Sequence, residues 1–405
     1  MKIRSITYFI DPQKPNYTQE LENAYQHQQA LRKKLETLEI EVQSIRLATP
    51  PLLHWFNPQQ DPSYGQIQEL AAHCQDFHFD YISLGPCECT QQAPDLIPAI
   101  LALSPILFLT MSIADKQGGI NTSHLRTCAE VIKRVADVET NGFGNLRFAA
   151  LANCQPYTPF FPTAYGETGT SAFALAMECA DSALTAFTQA DTIQAGCTQL
   201  QSEFEGMAMS IETVIASTPS STPFSFKGFD FSLAPYPEDW CSFGKALESM
   251  GVPTIGSAGS VAAAAILAAA LDEGKWRKAG FNGLMMPILE DNVLAARSAA
   301  GVLSVYDVLQ YSSVCGTGLD TVPLPGEITP EQISALLLDI AALSLRLDKP
   351  LTARLMPIPG KSAGDDVNFD FSFFAKGKVL DFPFSGMRAP LGIDQIIQIK
   401  SRTSR

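Results

Sequence analysis

The chain has 405 residues, 46% of them hydrophobic, and its 28 Lys and Arg against 42 Asp and Glu give a formal net charge of −14 and a pI near 4.8. A chain of this size can bury a large core. It has no run of basic residues that could neutralise phosphates, which excludes nucleic acid and anionic membrane as partners, and its longest nearly unbroken apolar run, VAAAAILAAAL at 261–271, is too short to span a bilayer.

The N-terminus, MKIRSITYFIDPQ, holds an apolar run interrupted by Thr7 and closed by Asp11, with no small-residue cleavage site. It reads as a first strand and not as a signal peptide, so a cytoplasmic location is expected. A polar helix from about Thr18 to Leu38 and a second strand candidate, IEVQSIRLA, complete a β-α-β unit. The pattern repeats as FDYISLGP with a helix from about Ala93, PILFLTMSI with a helix from Ser123 to Ala136, and LRFAALANC with a helix from Ser171 to Ala190. In the second half, FKGFDFSLAP reads as a strand and GSAGSVAAAAILAAALDEG as a helix stopped by Gly274. FNGLMMPILE is a further strand candidate. Thr329, Pro330 and Gln332 then form a capping box with proline at the first helical position, ahead of a helix that buries Ile333, Leu336, Leu337, Ile340 and Leu343. LTARLMPIPG closes the series as a strand. Alternating strands and helices predict an α/β class protein with a mainly parallel sheet or barrel. Gly and Pro, 27 of each, are spread evenly, which predicts one large domain over 1–405 with an N-terminal half of about 1–200 and a C-terminal half of about 201–400.

Loops at the carboxyl ends of strands collect chemistry in such folds. Five stand out: 114–124 with Asn121, 153–169, 229–239 with Asp230 and Ser232, 312–327 with Cys315, Gly316, Gly318 and Asp320, and the stretch from Met356 with Lys361 and Asp365. PGKS around Lys361 resembles the end of a phosphate loop, but the first glycine of that motif would fall on Leu355 and carboxylates follow, so a charged cluster at a site mouth, a magnesium position or a solvated turn fits better. The GSAGS before the Ala-rich helix suits either an anion or close helix-to-strand packing. The nine cysteines are scattered without a framework of pairs, so reduced thiols are expected. Cys87 and Cys89 have no matching pair at zinc spacing, and no metal site is expected there. Cys315, among small residues and glycines, is placed where a flexible turn could present a sulfur to a cavity. The five histidines all lie in the first 124 residues, so a Cys-His pair would have to reach across the fold.

In order and spacing, FDFSLAPYP, GFNGLMMPILED, SSVCGTGLDTVPLPGE and MPIPGKSAGDDVNF resemble the uncharacterised bacterial and archaeal family known as domain of unknown function 711, with weaker agreement at GGIN and TPFFPTAYGE. The resemblance implies a large closed α/β barrel similar to pyruvate formate-lyase and the ribonucleotide reductases, built from two halves with outer helices, in which a loop carries a cysteine into the interior; Cys315 suits that position. Two departures stand against a full transfer. The tail, SGMRAPLGIDQIIQIKSRTSR, lacks a glycyl-radical signature, and Ala258 stands where the family usually has a histidine.

The functional expectation is an enzyme acting on a small polar metabolite, with Cys315 and Asp320 as catalytic candidates and Asn121, Asp230, Ser232, Gly316, Gly318, Arg354, Lys361 and Asp365 binding substrate. The alternative is a non-catalytic metabolite-binding or regulatory protein. A third reading is a metal-dependent lyase or hydrolase using Asp230, Asp365 and Asp366. The sequence leaves the cofactor unknown; the expected partners are a small-molecule ligand and, optionally, further copies of the chain.

Overall fold

A computed structural model describes residues 2–219 and 224–402. Its N-terminal part follows the expected order: β1 (Lys2–Ile10), α1 (Tyr17–Glu36), β2 (Ile45–Ala48), α2 (Leu52–Trp55), α3 (Gly65–Asp76), β3 (Tyr81–Cys87), α4 (Ala93–Leu103), β4 (Leu107–Asp115), β5 (Gly119–Asn121), α5 (Thr122–Val135) and β6 (Phe148–Ala152). Then come β7 (Ser171–Glu178), α6 (Ala180–Gln189), α7 (Ile193–Ser217), β8 (Ser225–Ala234), α8 (Phe243–Ser249), α9 (Ser260–Glu273), α10 (Asn292–Ala299), α11 (Val305–Tyr311), β9 (Gly318–Pro325), α12 (Pro330–Leu347) and β10 (Leu351–Ile358). Short pairings by β11 (Asp366–Val367), β12 (Gly377–Lys378) and β13 (Ile396–Ile397) finish the chain.

The main sheet runs β8-β7-β1-β2-β3-β4-β6-β10-β9, with β5 and β13 attached beyond β4. β1, β2, β3, β4 and β6 are mutually parallel; β7 with β8, and β9 with β10, are also parallel pairs. The two sets meet antiparallel at β1–β7 and β6–β10. Strand β1 is buried nearly throughout, as expected of a strand covered on both faces. Helix α1 buries Leu21, Ala24, Gln28, Leu31 and Leu35 along one stripe. The capping box of α12 forms as expected: Thr329 accepts from the Gln332 N–H, and the Gln332 side chain accepts from the Thr329 N–H.

Three expectations change. Residues 171–178, taken as the start of a helix, are strand β7. Alanine's helix propensity is outweighed by a period of two: Phe173, Leu175 and Met177 join the main core, while Ala172, Ala174 and Ala176 face smaller clusters on the other side. The stretch 312–327, taken as a loop, contains β9 from Gly318 onward, so Asp320 lies on a strand. FNGLMMPILE is irregular and not a regular strand, yet residues 277–288 bond to both edges of the sheet. The Phe229 N–H donates to the Arg277 carbonyl at 2.8 Å, the Leu233 N–H to the Gly283 carbonyl at 3.1 Å, and the Ile288 N–H to the Asp320 carbonyl at 3.0 Å. Single parallel bridges join Phe229 to Lys278 and Pro287 to Asp320. The regular strands themselves leave the sheet open between β8 and β9.

Candidate functional site

Two neighbouring regions collect most of the residues singled out from sequence. The first is the seam where 277–288 lies between β8 and β9. Asp230, fully buried on β8, fastens it: Oδ2 accepts the Phe281 N–H at 2.7 Å, and Oδ1 accepts the N–H groups of Asn282 and Ser232 and the Ser232 hydroxyl. The Ser232 oxygen in turn accepts the Gly283 N–H at 3.1 Å. Burial pushes the Asp230 carboxyl up to about 6, against these donors.

Cys315 belongs to this seam. It is only 2% exposed and packs in the main core, and its sulfur accepts the Gly318 N–H at 3.4 Å. Its carbonyl accepts from the Lys349 ammonium. The glycines around it have packing reasons. A Cβ on Gly316 would lie 2.8 Å from the Gly283 Cα, so two backbones cross in contact there. Gly318 has φ +95° and presses on the Thr352 carbonyl. Thus Gly316 and Gly318 serve close backbone approach, and Cys315 is not among the residues that line the adjoining cavity.

That cavity, about 350 Å³, is the second region. Arg4 of β1, Arg46 of β2, Asp320 of β9, Arg354 of β10 and Glu290 all face it. Four of them form an alternating chain: Arg4 Nη2 donates to Glu290 Oε2 at 2.6 Å, Arg354 Nη2 to Glu290 Oε1 at 2.7 Å, and Arg354 Nε to Asp320 Oδ1 at 2.5 Å. Glu178 Oε2 stands 3.6 Å from Arg4 behind this chain, its carboxyl raised by burial. Burial likewise lifts the Asp320 carboxyl, against the pull of Arg354. The Arg354 guanidinium is held charged: burial works against it, but Asp320 and Glu290 prevail and raise its pKa. Next to Asp320, Thr321 is held at φ +43°, a left-handed conformation that costs a β-branched residue about 1–3 kcal/mol. Arg147 is taken up elsewhere, by Glu139 and three backbone carbonyls.

Arg46 differs from the other arginines. Its Nε donates to the Ser44 hydroxyl at 2.9 Å, and its guanidinium carbon lies 5.2 Å from the Phe161 ring centroid and 5.6 Å from that of Tyr81. Among the described residues no carboxylate forms an ion pair with it. Burial, helped by the charge of Arg4, lowers its pKa to about 10, so it remains a cation at neutral pH.

Other candidates lie apart. Asn121 caps α5, accepting the Ser123 N–H at 3.0 Å. Lys361 is in the turn after β10, and exposed Asp365 accepts the Ser362 N–H at 2.8 Å in the same turn. Ala258 is exposed just before α9. Asp230 does not join Asp365 and Asp366, and among the described residues no three His, Cys, Asp or Glu side chains converge as metal ligands would. Of the sequence candidates, only Asp320 and Arg354 meet in the cavity. Arg4, Arg46, Glu178 and Glu290 were not singled out, although an arginine inside each of the apolar strands KIRSITYFI and IRLA is a signal that could have pointed to them.

A family model described as Uncharacterised ACR (DUF711) matches residues 1–373. A UPF0210 protein of Pyrobaculum aerophilum is 27% identical over 359 residues, covering 83% of this chain and 78% of the relative. A UPF0210 protein of Neisseria meningitidis serogroup A is 28% identical over 283 residues, 67% of this chain and 62% of the relative. One of Oenococcus oeni is 27% identical over 291 residues, covering 68% and 63%. The matched region thus spans less than two thirds of the latter two relatives.

Proposed function

The chain belongs to the family described as Uncharacterised ACR (DUF711), and from that premise we propose that it acts on a small polar metabolite held in the cavity between β1, β2, β9 and β10. The observation that carries this reading is the buried chain Arg4–Glu290–Arg354–Asp320 facing about 350 Å³ of space. Charges taken out of water cost several kcal/mol each unless paired, and a hydrophobic core of the same volume would avoid that cost. Their concentration at one cavity, beside a strained Thr321, has the character of a prepared polar site. A closed barrel suits it as well: residues 277–288, bonded to both β8 and β9, would complete a cylinder of two five-stranded parallel sets, with the cavity as its interior. The nine unpaired thiols fit a cytoplasmic setting.

Asp320 is the group proposed to handle protons, because burial favours its neutral form while Arg354 stabilises its ionised form. Cys315, packed in the core, is not required. A non-catalytic binder is the second reading, favoured by the engagement of both Glu290 and Asp320 with arginine. The test is a calorimetric screen of the full chain against polar metabolites, followed by NMR of any hit incubated with protein. Conversion by wild type and by Cys315→Ala, but not by Asp320→Asn, supports the enzyme. Tight binding without conversion supports the binder, and loss of conversion in Cys315→Ala overturns the assignment of roles. No binding at all removes the cavity as a site.

A further inference from the structure

Resting on that reading, we infer that Arg46 anchors the carboxylate of a hydroxy monocarboxylic acid, with Gln43 meeting the hydroxyl. Arg46 lines the cavity, is 9% exposed, and uses only its Nε within the protein, for Ser44. Its two terminal nitrogens, the forked edge that binds carboxylates bidentately, have no partner among the described residues. Phe161 and Tyr81 lie against the guanidinium, and Phe108 touches both rings at centroid distances of 5.3 and 5.4 Å. This aromatic collar fixes the plane of the fork and keeps water from its faces.

Charge sets the ligand class. The other cavity cations are matched: Arg4 and Arg354 by Glu290 and Asp320, Arg147 by Glu139. The fourth carboxylate of the lining, Asp80, is exposed and accepts the Ile45 N–H at 2.8 Å, and it forms no ion pair with Arg46 among the described residues. Arg46 is therefore the one cavity arginine whose forked edge no carboxylate engages there, while the lining as a whole holds as many carboxylates as arginines, which suits a monoanion better than a phosphate dianion. A second group is also incomplete: Gln43 faces the same cavity, and its buried Oε1 accepts no hydrogen bond from the described residues. A hydroxyl, which both donates and accepts, can meet the amide at that position whether it presents its oxygen or its nitrogen there. An ammonium would add a third cation beside Arg46 and Arg4. A cavity of about 350 Å³ is at the low end of ligand sites, so the acid is small.

The experiment is isothermal titration of the full chain with a series of small hydroxy monocarboxylates, 3-hydroxybutyrate among them, alongside butyrate, the amide of 3-hydroxybutyrate and inorganic phosphate. At least one hydroxy acid should bind at least tenfold more tightly than its amide and more tightly than the acid without a hydroxyl. Arg46→Gln should weaken binding tenfold or more without lowering the unfolding temperature, because it removes an unpaired buried charge. Arg46→Lys, which keeps the charge and loses the fork, should fall between. Equal binding of acid and amide, unchanged affinity in Arg46→Gln, or tighter binding of phosphate would overturn the inference while leaving the cavity as a metabolite site. If the wider metabolite screen finds ligands and no hydroxy acid binds, the inference fails and the broader reading stands; if neither finds any, both fail.

Discussion

His27 shows how one residue converts burial into a pH dependence. It projects from α1 into the core, where the Tyr8 hydroxyl meets its Nδ1 at 2.7 Å and Phe173 and Phe224 surround the ring. Burial lowers its pKa from the usual 6.5 to about 4, so the folded state favours the neutral ring. A group whose folded pKa is depressed supplies stability above its unfolded pKa and loses it as the pH falls. Between pH 6.5 and 4 the protein should therefore lose about 3 kcal/mol at this site. Urea unfolding across that range should show the loss, and His27→Gln should flatten it; parallel slopes in the two proteins would sink the assignment. Gly316 is a second case at this scale. A methyl added there would meet the Gly283 Cα at 2.8 Å, backbone against backbone. Gly316→Ala should cost about 1–3 kcal/mol in urea titrations. Cys315→Ala removes only the sulfur and should cost less.

At the scale of elements, periodicity was the most legible signal and also the source of the main misreading. The apolar stripe and capping residues of α12 are local properties of its own segment, so they can be read from it directly. In β7 a run rich in alanine carried two messages, helix propensity and a large-small alternation with period two. Pairing with β1 and β8 decided for the second, because the alanines let the inner face lie close to the segment 277–288 while Phe173, Leu175 and Met177 fill the main core. The segment 277–288 itself was legible as apolar but not as irregular. Asp230 and Ser232 take up the backbone N–H groups at 281–283 that a regular ladder would have used.

Across the whole molecule, the cavity depends on partners far apart in the chain. Arg4 and Glu290 are 286 residues apart, and Arg354 and Glu290 are 64 apart. Truncating one member should expose that dependence. In Arg354→Leu, Asp320 loses its ion-pair partner while still buried, and the expected cost is about 3–5 kcal/mol in chemical denaturation. Replacing Asp320 by Leu as well should recover much of that loss, since the unpaired charge goes too. An additive double variant would mean that the pair is not coupled.

By itself the sequence determined the α/β class, most strand and helix positions, the caps, and membership in a family recognisable by several motifs in register, because each of these is carried by contiguous residues. It also marked Asp320, which falls within one of those motifs, and Arg354, in the strand candidate LTARLMPIPG just ahead of another. Only the tertiary structure decided that Gly316 and Gly318 serve backbone crossings, that Cys315 packs in the core, and that Arg46 faces a cavity with no ion-pair partner among the described residues. Those facts are set by which strands become neighbours, and strand adjacency follows from the whole buried interior, where a charge is paired or unpaired according to residues that no local spacing brings together.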